Sequence, residues 1–215
     1  MKLLMGGIAA LLAALLLAGC ETVSKEQCVA GDWVALGKAD GANGYQTSRL
    51  ADIVKDCGRY GVTPDTEQYM SGWNQGVQIY CTPMNGYNVG REGKSASPVC
   101  PPQMASSFEY AHSLGNRIWQ ARSKVQDMER RVRDIETRMN RLRMDVTGIS
   151  CSGKSGDELK ACRHDMHSRR QDLQDARFDL QDARWRLMEA RRFYEDTEQT
   201  VNAEAARTIP GYGPQ

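Results

Sequence analysis

The sequence predicts an all-α protein with two parts: a small, disulfide-stapled, glycine-rich domain of short helices, and a long antiparallel α-helical coiled-coil hairpin. Three observations support this. Eleven of the 20 glycines lie between Gly31 and Gly93. Cysteines recur from Cys28 to Cys162. After residue 103, apolar residues follow one another in steps of three and four, which is the spacing of a coiled coil.

The first twenty residues have the composition of an export signal. Lys2 precedes an apolar run that ends at Leu17, which is shorter than the ~20 residues that span a bilayer. The run leads into Leu17-Ala18-Gly19-Cys20, which resembles a bacterial lipobox. This resemblance implies that residues 1–19 are a lipoprotein signal peptide and that Cys20 carries acyl chains (palmitate among them). We expect residues 20–27 to form a tether.

The residue after Cys20 bears on the choice of membrane. It is Glu21 rather than aspartate, and resemblance to sorted lipoproteins then implies the outer membrane rather than the inner one. We therefore expect a lipid-anchored protein on the periplasmic side of the outer membrane.

The cysteines beyond Cys20 predict a disulfide framework. Their number is even, as expected for a chain exported to an oxidising compartment. Cys151 and Cys162 flank one turn and are predicted to pair. The first four of the six allow three pairings, of which packing of neighbouring antiparallel helices favours Cys28–Cys57, leaving Cys81–Cys100. No C-x-x-C motif occurs, and we predict neither a metal site nor a cofactor. The six are Cys28, Cys57, Cys81, Cys100, Cys151 and Cys162.

Residues 28–101, the glycine-rich domain, contain several helix-start signals. Asp32 is positioned to cap one helix, and a second helix begins near Ser48. Thr63-Pro64-Asp65 and Thr82-Pro83 each place proline at a helix start, where its missing N–H costs nothing.

Four aromatic residues of this domain lie near glycines and have two interpretations. Glycine inside a helix costs about 1 kcal/mol relative to alanine, so its recurrence needs a reason. Close packing of helices is one reason, and ligand approach is the other. In the second case the rings would stack on sugars of peptidoglycan or lipopolysaccharide, and their burial distinguishes the two. The four are Trp33, Tyr69, Trp73 and Tyr87.

An ordered set of residues in this domain carries a family resemblance. It runs Cys28, Asp32-Trp33, Leu36-Gly37, Asp40-Gly41, Gly44, Cys57, Gly61-Val62, Pro64-Asp65, Tyr69, Gly72, Gly76, Tyr80-Cys81-Thr82-Pro83, Asn85, Tyr87, Gly90, Gly93 and Val99-Cys100-Pro101. It resembles the bacterial lipoproteins grouped as domain of unknown function 2799. That resemblance implies an envelope lipoprotein and supplies no known activity.

Residues 103–207 are predicted to form the hairpin. Its helices cover about 103–147 and 157–206, joined by a loop at 148–156. The apolar positions of each helix form a continuous line, which we call the seam. The predicted register pairs Ile135 with Leu173 and Val132 with Ala176, so that large and small residues alternate. Residues 208–215 contain helix-breaking residues and are predicted to be a disordered tail.

Composition and motifs together argue against catalysis and nucleic-acid binding. The chain carries 28 basic and 27 acidic side chains, which gives no bulk positive potential for nucleic acid. Asp32, Asp40 and Asp65 could supply carboxylates, but each is equally explained by a helix end, and no nucleophile motif occurs. We expect a non-enzymatic envelope lipoprotein with a structural or partner-binding role. The partners would be the membrane, through the anchor, and a periplasmic protein or a second copy, through the hairpin. The alternative is an envelope glycan-binding module.

Overall fold

The computed structural model describes residues 21–213, and within them every regular element is a helix. The fold class predicted from the sequence is confirmed. The signal peptide and Cys20 lie outside the described residues. Two compact units are present: the first contains residues 21–86 and 95–110, and the second contains 87–94 and 111–213. The unit boundary differs from the predicted one, because residues 87–94 belong with the long helices.

The helices begin and end at recognisable caps. Ser24 caps α1 in a capping box with Gln27, and Gly31 ends it with φ of 66°. Asp32 caps α2 as predicted, but α4 is capped by Asp65, so Pro64 precedes the cap and is not the first residue of the helix. The helices are α1 Lys25–Ala30, α2 Trp33–Ala42, α3 Arg49–Gly58, α4 Thr66–Tyr80, α5 Pro83–Arg91, α6 Pro102–Gly148 and α7 Gly156–Thr208.

Helices α2 and α4 cross with their backbones in direct contact. A Cβ added at Gly37 would overlap the carbonyl oxygen of Tyr69, and one added at Gly72 would overlap that of Val34. Gly41 and Gly76 are equally close to the opposite backbone. The recurring glycines are therefore explained by helix packing, one of the two interpretations of the sequence. At these four positions the two helix backbones leave space for the hydrogen of a glycine and not for a side chain.

The same glycine arrangement occurs a second time. Three glycines in and just after α5 lie 49 residues after three glycines in and just after α2. They are Gly86, Gly90 and Gly93, which correspond to Gly37, Gly41 and Gly44. On the partner helix, Gly115 of α6 lies 39 residues after Gly76 of α4. Gly76 lies against the backbone of Lys38 and Ala42. Gly115 lies against that of Tyr87 and Arg91, each 49 residues further along.

A hydrogen bond repeats with the glycines. Trp73 donates its ring N–H to the carbonyl of Tyr45 at 2.8 Å, and His112 Nε2 lies 2.8 Å from the carbonyl oxygen of Lys94. These pairs are related by the same offsets of 39 and 49. The chain thus contains two copies of one helix–helix crossing. The connection in the first copy is longer by ten residues, the difference between the two offsets.

The second unit is built mainly from α6 and α7, which are 47 and 53 residues long. Their ion pairs show that they pack antiparallel: Arg138 bonds to Asp179, whereas Glu129, earlier in α6, bonds to Arg191, later in α7. Every predicted seam position is buried or half-buried. The helical hairpin is therefore present, and its contact face is the one that the spacing predicted.

The predicted register of the hairpin is wrong by one heptad. Ile135 packs in a cluster with Leu180 and Ala183 rather than with Leu173. The disulfide at the tip explains the shift. In the predicted register, Cys151 would lie opposite residue 157, about 7.5 Å along the helix from Cys162. The two cysteines are bonded with Cα atoms 5.9 Å apart, and a slip of seven residues brings them within two residues of opposition.

The C-terminal segment differs from the predicted disordered tail. Helix α7 continues to Thr208, and Ile209 is buried. The hydroxyl of Tyr212 donates to Asn202 at 2.7 Å. A glycine–proline composition therefore did not prevent this segment from packing, because its two large apolar residues find buried or hydrogen-bonded positions.

Three disulfides join the six cysteines described. Cys151–Cys162 forms as predicted, and so do Cys28–Cys57 and Cys81–Cys100. Cys28–Cys57 joins the segments that precede α2 and α4, and Cys81–Cys100 joins the segments that precede α5 and α6. Each bond thus links the two helices of one crossing at their N-terminal ends. A disulfide in a small domain contributes roughly 2–4 kcal/mol, which compensates for a core with few large apolar residues.

Gly72→Ala tests the backbone contact between α2 and α4. The added methyl group has no space, so we expect a loss of about 2 kcal/mol, the usual cost of overpacking. Gly58→Ala is the matched control: an added Cβ there meets no atom within 4 Å, and stability should stay the same or rise by up to ~1 kcal/mol. Thermal unfolding of the full chain, followed by circular dichroism, measures both. Equal melting temperatures would contradict the contact.

Paired cysteine substitutions test the register. Under mild oxidation, Val132→Cys with Ala183→Cys should cross-link within one chain, because both lie at the cluster around Ile135 and Leu180. Val132→Cys with Ala176→Cys should not, because that pair is displaced by a heptad, about 10 Å. Non-reducing gels and mass mapping report the product, and the opposite preference would restore the original register.

Candidate functional site

The four aromatic residues proposed for ligand contact are mostly buried. Tyr69, Tyr87 and Trp33 expose 0%, 2% and 6% of their surface. Trp73 is half-buried and hydrogen-bonded through its ring nitrogen to Tyr45. Stacking on a sugar requires an exposed ring face, and three of the four rings have none. Their geometry supports helix packing rather than glycan binding.

Buried Asp40 lies at the centre of a polar cluster in the first unit. Its carboxylate accepts from the Tyr69 hydroxyl at 2.8 Å and from Arg49 Nε at 3.1 Å. Burial raises the pKa of Tyr69, and the hydrogen bond to Asp40 raises it further. Tyr69 therefore stays a neutral donor, and the Arg49 guanidinium pairs with the Asp40 carboxylate. Asp40 was expected to be a polar residue at a helix end, and it is instead buried against α4.

A second buried carboxylate, Asp56, binds the N-terminal backbone. Asp56 accepts from the N–H of Thr22 at 2.7 Å, while Arg49 donates to the carbonyl of Thr22 at 3.1 Å. Val23 is 3% exposed and belongs to the core cluster that contains Cys28 and Cys57. Residues 21–23 are thus fixed to the first unit, which differs from the tether predicted over 20–27. Both backbone groups of Thr22 have charged partners, an arrangement stronger than neutral hydrogen bonds.

Glu21 extends this attachment by one residue. Its carboxylate accepts from the Tyr60 hydroxyl at 3.1 Å and from Arg59 at 3.3 Å. The hydrogen bond to Glu21 raises the pKa of Tyr60, which keeps the phenol a donor. We call residues 21–23 together with Arg49, Asp56, Arg59 and Tyr60 the N-terminal dock.

The dock was not found from the sequence. Asp56 lies on the same face of α3 as Ile53 and Cys57, so the available signal was one acidic residue on an apolar helical face. Charges in such positions are rarely buried without a partner. Arg49 carried no comparable signal, because only the folded chain brings it to Asp40 and Thr22.

A polar cluster in the second unit surrounds Tyr87. The Tyr87 hydroxyl donates to Asn202 at 3.0 Å and lies 3.2 Å from that of Tyr212. Burial is the main cause that raises the pKa of Tyr87. The cluster holds the end of α7 and the C-terminal segment to α5. It leaves the Tyr87 ring no free face, so it has a structural role.

The remaining sequence candidates have local explanations. Asp32 and Asp65 accept from the N–H groups of Ala35 and Gln68, each at 3.0 Å, as helix caps. The two histidines that follow Cys162 at a spacing seen in some metal sites, His164 and His167, are exposed on α7. Over residues 21–213, no three His, Cys, Asp or Glu side chains are grouped to hold a metal ion. In the same range, no helix is long and apolar enough to cross a membrane.

Comparison with known proteins gives a family and no activity. Neither the curated proteins nor the solved structures contain a match to this chain. A family model described as "Protein of unknown function (DUF2799)" matches residues 32–117. The match begins at the cap of α2 and ends just after Gly115 of α6, so it contains both glycine-mediated crossings. Residues 32–117 of this chain are thus similar to the DUF2799 family, whose model covers less than half of the chain.

Proposed function

We propose that this chain is a lipid-anchored, non-enzymatic protein of the bacterial cell envelope, held by acylated Cys20 and facing the periplasm. One observation carries the proposal. The six cysteines from Cys28 onward pair with one another, which suits an oxidising compartment. Cys20 in turn follows an apolar export signal with lipobox spacing. The outer membrane is the favoured location, because Glu21 follows the cysteine.

The positions of the acidic residues support a non-catalytic role. Asp32 and Asp65 are helix caps, and Asp40 is neutralised by Arg49. These carboxylates are held by partners that the fold needs, whereas an acid–base pair would face a shared space where a substrate fits.

The exposed apolar residues of α7 support partner binding by the hairpin. Large apolar side chains that leave more than two-fifths of their surface in solvent recur along this helix. Two of them, Phe178 and Trp185, are seven residues apart and so share one helical face. Helix-against-helix recognition uses such a stripe. The four are Phe178, Trp185, Met188 and Phe193.

Cys20→Ala tests the anchor. Without the thiol no thioether to diacylglycerol can form, so labelling by an alkyne fatty acid should be lost. The matched control is Cys151→Ala with Cys162→Ala, which removes two other cysteines, those of the tip disulfide, and should keep the label. Fluorescence of the clicked probe on a gel is the measurement. Continued labelling of Cys20→Ala would contradict the proposal.

A photo-crosslinking residue at Phe178 or Trp185 tests the hairpin surface in intact cells. We expect one dominant cross-linked product, either a periplasmic protein or a second copy, because the stripe faces away from the seam. The same group at exposed Arg131 of α6 is the control and should give much less. With the photo-crosslinking residue placed instead at Phe193, the double variant Phe178→Ser with Trp185→Ser should lower the yield of cross-linked product about tenfold. Its melting temperature should not change. Equal yields at all positions would argue against a specific surface.

A further inference from the structure

The N-terminal dock is supplied by the part of the chain that the two crossings do not share. The first crossing has ten additional residues between its helices, and this longer connection contains α3. Helix α3 and the residue pair after it provide Arg49, Asp56, Arg59 and Tyr60. These are the side chains that bind residues 21 and 22. The second crossing forms without such a helix, so the crossing itself does not require α3.

The charged core of the first crossing is also absent from the second. With offsets of 49 and 39, Asp40 corresponds to Val89 and Tyr69 to Phe108. The corresponding positions of the second crossing therefore hold apolar side chains, a half-buried valine and a buried phenylalanine. A buried carboxylate costs free energy unless it is paired, so its presence in the first crossing calls for a separate reason. The Arg49 that it holds donates to Thr22.

We propose that the first unit is a membrane seat: the N-terminal dock fixes the residues next to the lipid anchor, and so holds this unit against the lipid headgroup surface. This inference rests on the proposed acylation of Cys20. The lipid surface is inferred from the short covalent distance between the acylated Cys20 and the docked Glu21. Adjacent Cα atoms are about 3.8 Å apart, and Glu21 is already bound to Arg59 and Tyr60.

The length of free chain gives the size of the effect. A flexible tether over residues 20–27 would let the unit move roughly 25 Å from the bilayer, at about 3.3 Å per extended residue. With residues 21–23 docked and Ser24 capping α1, the free length shrinks to about one residue. The docked edge of the unit, at residues 21–23, therefore stays within a headgroup's thickness of the membrane.

Amide hydrogen exchange tests the dock in the acylated full chain in detergent, by mass spectrometry of the peptide that covers residues 21–28. One variant combines Asp40→Val, Tyr69→Phe and Arg49→Met, which copies the apolar pair of the second crossing and removes the bond to the Thr22 carbonyl. A second variant, Thr22→Pro, removes the N–H that Asp56 binds and keeps the core unchanged. Both should exchange at least about tenfold faster over this peptide, since each loses a hydrogen bond to a charged group. Arg184→Met, which removes an ion pair with Glu136 in the second unit, is the control and should not.

Headgroup quenching tests the seat in vesicles of phosphatidylethanolamine and phosphatidylglycerol. A fluorescent amino acid at exposed Val29 of α1 should be strongly quenched by lipids with a nitroxide headgroup. Ten Gly/Ser residues inserted between Cys20 and Glu21 leave the dock intact but add a reach of about 17 Å. Quenching should then fall at least twofold. Both dock variants should also reduce quenching.

The outcomes separate this proposal from the anchor on which it rests. The mass of the N-terminal peptide reports acylation directly, and a peptide without acyl chains would refute the proposed anchor and, with it, the seat. If the chain is acylated, unchanged exchange in Thr22→Pro overturns the dock, even where the triple variant does not fold. Quenching that is weak in the unaltered protein, or insensitive to the ten-residue insertion, overturns the seat.

Discussion

Direct backbone contact between α2 and α4 is the constraint on which the glycine-rich domain depends. Four glycines, two on each helix, leave no room for a side chain at the crossing. This closeness gives dispersion contacts along the helices and buries the flanking aromatic rings, and it replaces the large apolar core that the composition lacks. The same constraint recurs between α5 and α6, at matched sequence offsets. Ligand contact is then not needed to explain either the glycines or the aromatic residues.

Disulfides and buried charges act at the ends of this arrangement. Cys28–Cys57 and Cys81–Cys100 each join the segments that precede two crossing helices, so they restrict the unfolded chain around the crossing. Asp40 is instead connected through Arg49 to the carbonyl of Thr22, and Asp56 accepts directly from the N–H of Thr22. Polar groups of this kind add specificity of position more than stability. They link the core of the first unit to the residue beside the proposed lipid anchor.

The hairpin shows how a nearly exact repeat leaves one choice open. From Leu173 the sequence repeats LQDARFD, LQDARWR and LMEARRF, so sliding the helices by seven residues keeps the same face in contact. The seam alone therefore cannot distinguish the two registers. The tip disulfide between Cys151 and Cys162, together with ion pairs such as Glu136–Arg184, selects one of them. The disulfide lies outside the heptad repeat, yet it determines how the two repeating helices are aligned.

Local rules were sufficient for much of this protein. Helix periodicity determined the all-α class and the two seam faces, and Asp32 was identified as a cap from its position alone. The positions of Cys151 and Cys162 predicted their disulfide, and the expected packing of neighbouring helices favoured the other two pairs among three possibilities. Tertiary structure decided the register, the packing of Ile209 and Tyr212 and the attachment of residues 21–23. Each of these depends on groups far apart in the chain, as with Thr22 and Asp56, and no periodic pattern encodes which distant donor meets which acceptor.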